Sequence, residues 1–88
     1  MTTQRKYHTK KIKIVEKKLG HVRVWGLYYK GENLIEIDGR MRSKHYLSVL
    51  IHELLHWRFP YMSESEINQA APKIGKAIWA QGFRRLQK

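Results

Sequence analysis

Two imidazoles and a carboxylate fall within the short run His52-Glu53-Leu54-Leu55-His56. Residues four apart on a helix lie on one face, one turn from each other. His52 and His56 can therefore offer two ring nitrogens to a single cation, the geometry zinc accepts from histidine. Glu53 follows the first imidazole and points beside the ion. A carboxylate there can take a proton from water as the water attacks a peptide carbonyl, then return it to the departing amine. The chemistry requires a helix under the motif, an apolar stripe behind it and a third ligand within reach.

The third ligand must come from downstream of His56, where no histidine follows and the only acids are Glu64 and Glu66. Both lie just past a short loop through Pro60, which forces the next helix to turn back on the first. Glu66 is the first choice and Glu64 the second. Glu66 has a competing role, because Ser63-Glu64-Ser65-Glu66 reads as a capping box. Asn68 is either an orienting partner for a ligand or a surface polar residue. For holding the oxyanion of the reacting carbonyl, the nearby candidates are Tyr61, Tyr46, His45 and Arg58. Tyr61, in the loop between the two helices, is preferred. His8 and His21 receive no chemical role.

The elements that must position these groups are legible in the periodicity. KIKIVEK from Lys11, HVRVWGLYY from His21 and LIEID from Leu34 alternate with the period of a strand. Turn signals separate them, Gly20 first and then Lys30-Gly31-Glu32-Asn33. They predict three short strands in a mostly antiparallel meander. After Gly39 the period changes. Leu47, Leu50, Ile51, Leu54 and Leu55 recur at helical spacing behind the motif, with Ser43 as the predicted N-cap and Pro60 ending the helix near Phe59. A second helix begins at Ser63 and buries Ile67, Ala70, Ile74, Ala77 and Ile78. Pro72 should kink or split it, and Gly82 should end it.

HELLH, followed on the next helix by ESEIN, resembles the gluzincins, zinc peptidases with two histidines and one glutamate. Val22 to Ala80 looks most like the minimal gluzincin domains, which include small phage and prophage metallopeptidases. More distantly it resembles the ImmA/IrrE-type peptidases. The resemblance implies an α+β zincin-like fold, with a three-stranded sheet packed on the HExxH helix and a following helix. It implies zinc held by His52, His56 and Glu66, the last through Glu66-Ile67-Asn68, with Glu53 as the catalytic base. It also implies that LIEID is an edge strand receiving a protein substrate as an added, extended strand.

With 88 residues the chain makes one small domain, expected over 11–88 behind a basic arm at 1–10. It contains no cysteine, so a metal must be held by imidazole and carboxylate. No apolar run approaches the roughly 18–20 residues that cross a bilayer, and no apolar stretch of signal-peptide length follows the N-terminus. A cytoplasmic monomer is expected. The net charge is +11, and residues 1–30 carry nine lysines and arginines against one acid. Such charge attracts polyanions. It supports a second reading, a basic nucleic-acid-binding module or a degenerate peptidase whose zinc is structural.

Overall fold

The computed structural model describes residues 11–19 and 24–86; the expected arm at 1–10 and the histidines at 8 and 21 lie outside them. Three strands, β1 (Lys13–Lys17), β2 (Gly26–Tyr29) and β3 (Leu34–Asp38), precede two helices, α1 (Ser43–Arg58) and α2 (Glu64–Ala80). The architecture is α+β. Among the described residues, α1 lies between one face of the sheet and α2.

The sheet is not the expected meander. Its order is β1-β3-β2, with β1 parallel and β2 antiparallel to β3. LIEID is therefore the central strand, not an edge. Its composition explains the position: Ile35 and Ile37 are both fully buried, and a strand paired on both sides can bury its whole length. Its two acids are buried with partners. Glu36 accepts from the Tyr29 hydroxyl at 2.8 Å and pairs with Lys17 at 2.9 Å. Asp38, solvent-inaccessible, accepts from the Leu19 backbone N–H and from the Arg40 guanidinium. The Arg40 pairing holds the Asp38 carboxyl well below the usual carboxylate range and fixes the turn into α1.

β2 and β3 form a hairpin through Lys30–Asn33. Gly31 (φ 85°) and Asn33 (φ 49°) adopt the left-handed conformation that this turn needs. The Asn33 side chain accepts from the Trp57 indole N–H at 3.0 Å, pinning the hairpin to the C-terminal end of α1. β2 consequently runs in the same direction as α1, and its outer edge pairs with no other strand among the described residues.

Ser43 is the first residue of α1 rather than its cap; the N-cap is Arg42, without a side-chain capping bond. The helix stops at Arg58, as Pro60 demands. The capping box at the start of α2 is complete: the Ser63 hydroxyl accepts from Glu66 N–H at 3.1 Å, and the Glu66 carboxylate accepts from Ser63 N–H at 2.8 Å. α2 runs unsplit through Pro72 to Ala80.

Its buried face is Ile67, Ala71 and Gly75, turned from the predicted stripe, so that Ile74 is exposed. Small residues set this rotation. A Cβ on Gly75 would lie 3.6 Å from Ile51 Cδ1 and 3.7 Å from Ser48 Cα, so the glycine brings α2 close against α1. Ile67, about two turns earlier on the same face, is completely buried. Ile67→Ala is expected to cost about 2–5 kcal/mol of stability, measured by urea unfolding; a cost near zero would mean the two helices do not dock in this way.

Candidate metal centre

The loop between Arg58 and Glu64 turns α2 back so that its first residue faces the last two turns of α1. Glu64 meets both motif histidines: its Oε2 lies 3.2 Å from His52 Nε2 and its Oε1 2.9 Å from His56 Nε2. One ligand atom from each of the three residues falls within 4.8 Å of the others. Ligands about 2.0–2.1 Å from a tetrahedral zinc lie roughly 3.3 Å apart. The His52 separation is close to that edge and the His56 separation is shorter, each to a different oxygen of Glu64, and two imidazoles with a carboxylate are a donor set zinc accepts. The residues present fit the ion.

Glu66, the first choice for third ligand, stands outside this group. Its carboxylate is held by the Ser63 backbone N–H. Two residues on a helix are separated by about 200° around its axis, so with Glu64 turned toward the histidines Glu66 faces away. Glu64 lies one turn before the buried Ile67 and shares a face with Asn68, one turn later.

Glu53 is buried, with 9% of its surface exposed. Burial raises its pKa; His52 and His56 oppose the shift and Glu64 adds to it. Behind it passes β2, at a residue without a side chain. A Cβ on Gly26 would lie 2.8 Å from Val49 Cγ1, 3.0 Å from Glu53 Cγ and 3.2 Å from Glu53 Oε2. Gly26 thus lets the backbone of β2 run in contact with the buried acid. A glycine inside an alternating strand is a known sign of close backbone approach, and it is the signal that could have drawn Gly26 into the site from sequence.

Glu53 and His52 open into a cleft of about 390 Å³, with β2 and the preceding Val24 and Trp25 on one side, and Asn68, Ala71 and Pro72 of α2 on the other. Asn68 therefore reaches the cleft. Of the four oxyanion candidates, His45 does so, its ring edge-on to Trp25 with centroids 5.5 Å apart. Tyr61 is 98% exposed in its loop and does not line the cleft. The Tyr46 hydroxyl donates to Glu16 at 2.9 Å, its pKa pushed up to about 12 by burial and by that bond. Arg58 stacks on Phe59.

Among the described residues no helix is long and apolar enough to cross a membrane. No family model, curated protein or solved structure matches the chain, and the side-chain geometry carries the functional reading by itself.

Proposed function

We propose that this chain is a zinc-dependent peptidase of the minimal gluzincin type, with His52, His56 and Glu64 as metal ligands and Glu53 as general base and then acid. The observation that carries the reading is the convergence of one ligand atom each from His52, His56 and Glu64 beside the buried Glu53 carboxylate, with His52 and Glu53 lining an open cleft. Zinc bound there would polarise a water and the scissile carbonyl. Glu53 removes a proton from the water as its oxygen bonds to the carbonyl carbon. When the carbon–nitrogen bond breaks, the same proton passes from Glu53 to the amine nitrogen, leaving an amine and a carboxylic acid whose remaining proton passes to the amine or to solvent. The substrate lies extended in the cleft against the outer edge of β2, whose backbone groups pair with no other strand among the described residues and suit strand addition. This assigns to β2 the part expected of LIEID. Asn68 is positioned to orient a ligand from the α2 side.

The test is cleavage of an unfolded protein such as casein by the zinc-loaded chain. Cleavage should disappear with a chelator and return with zinc. No cleavage of casein or of a broad peptide pool by zinc-loaded protein would count against the reading.

Two further results are expected. Glu53 must be ionised to accept a proton, and its pKa is raised above the ordinary 4.5. Activity should therefore be lost as pH falls through the Glu53 pKa; burial moves that acid limb of kcat/KM up, and a cation bound beside it moves it down. Gly26→Ala should force β2 or Glu53 to shift, lowering kcat by about tenfold or more while zinc content is unchanged. A fully active Gly26→Ala enzyme would show that the contact between β2 and Glu53 does not position the base.

The net charge of +11 favours the second reading, a basic module with structural zinc and a nucleic-acid partner. Binding to random DNA at two salt concentrations tests it, since phosphate contacts weaken steeply with salt.

A further inference from the structure

The cleft at Glu53 does not end at His45. A second depression, of about 550 Å³, adjoins it and shares His45, Ser48 and Pro72 with it. Together they form one trough, running from His52 and Glu53 along the α1–α2 junction toward the N-terminus of α1. The far part is walled by Arg42, Lys44 and Lys76, and no carboxylate lines it. All three cations are exposed, and among the described residues none forms an ion pair; Lys44 only approaches the Trp79 ring, at 6.0 Å. Lys17, Arg40 and Arg85, by contrast, are each paired with an acid; what sets Arg42, Lys44 and Lys76 apart from the remaining unpaired cations is that they share one depression.

We propose that this part of the trough selects substrates with acidic side chains on the C-terminal side of the scissile bond. The proposal rests on the peptidase reading of the site. β2 runs with α1, from Trp25 beside His45 to the turn beside Trp57. A segment paired antiparallel to β2 runs the opposite way, entering at the His56 end and leaving past His45. Residues after the scissile bond then lie among Arg42, Lys44 and Lys76. Unpaired cations next to a low-dielectric wall discriminate charge more than they add affinity. The occupant is a peptide rather than nucleic acid because the trough is continuous with the cleft and with the free edge of β2, which recognises an extended main chain.

The experiment is equilibrium binding by fluorescence anisotropy, using the full chain with Glu53→Gln and zinc added. The probes are two short labelled peptides that differ only in carrying Glu or Gln through the C-terminal half. The Glu peptide should bind about tenfold more tightly. Lys44→Glu with Lys76→Glu should abolish the difference. Lys11→Glu with Lys18→Glu, which makes the same change in net charge at exposed positions outside the trough, should preserve it. Equal binding of the two peptides, or equal loss of preference in both double variants, overturns the proposal. So does single-stranded DNA that displaces the Glu peptide and binds more tightly through Lys44 and Lys76, which would give the trough to nucleic acid. The assay requires no hydrolysis and is repeated on His52→Ala. If the wild-type chain binds no zinc and cleaves no casein while the acid preference persists, the enzyme reading falls and the trough stands. If casein is cleaved and the preference is absent, the reverse holds.

Discussion

Glu53→Gln should retain zinc and lose peptidase activity by about two to four orders of magnitude, the usual contribution of a positioned general base. The amide is nearly isosteric with the acid, so it keeps the packing against Gly26. It cannot accept a proton at neutral pH. Because Glu53 is not one of the three converging residues, the metal should remain. Burial of an ionisable group opposes folding unless the group is neutral or paired, so the variant should be at least as stable as the parent above the pKa of Glu53. Loss of activity with intact zinc and unchanged or raised Tm identifies Glu53 as the base. Activity within a few-fold of wild type would remove the mechanism.

Replacing either of the two acids at the start of α2 separates a ligand from a cap. Glu64→Ala should lower zinc affinity by about a hundredfold or more and with it the stability that bound metal adds. Glu66→Ala should leave zinc binding intact and cost about 0.5–1 kcal/mol through loss of the capping box. Zinc titration by calorimetry, with thermal unfolding at fixed zinc, measures both. The contrast also separates a metal site from a hydrogen-bonded cluster, since two imidazoles can donate to one carboxylate at the same distances. A cluster of that kind would leave the zinc affinity of the two variants equal.

The α+β content, the placement of the motif on a helix and the capping box at Ser63 were legible in the sequence. Each depends on local pattern: period two for the strands, helical spacing for Leu47 to Leu55, a serine three residues before a glutamate. The strand order was not. Alternation tells which face a side chain occupies but not which strand is its neighbour. LIEID became central because Glu36 and Asp38 found partners in Tyr29, Lys17, Leu19 and Arg40, which no local pattern records. The choice between Glu64 and Glu66 was closer to hand. A glutamate that closes a capping box is turned back toward its cap, so it cannot also face the preceding helix. Running the buried face of α2 backward from Ala71 through Ile67 reaches Glu64. That face was misassigned because Ala71 and Gly75 are small, and hydrophobic patterning weighs Ile74 and Ile78 more heavily than the residues that allow close helix contact. Gly26 was missed for a similar reason: its role is to contribute no side chain.

The most direct measurement is zinc-edge X-ray absorption on the zinc-loaded wild-type chain, with the metal content of the same sample. The account predicts about one zinc per chain, in a four-coordinate shell of two imidazole nitrogens, one carboxylate oxygen and one further oxygen from water. No bound zinc, or a shell filled entirely by protein ligands, would contradict it.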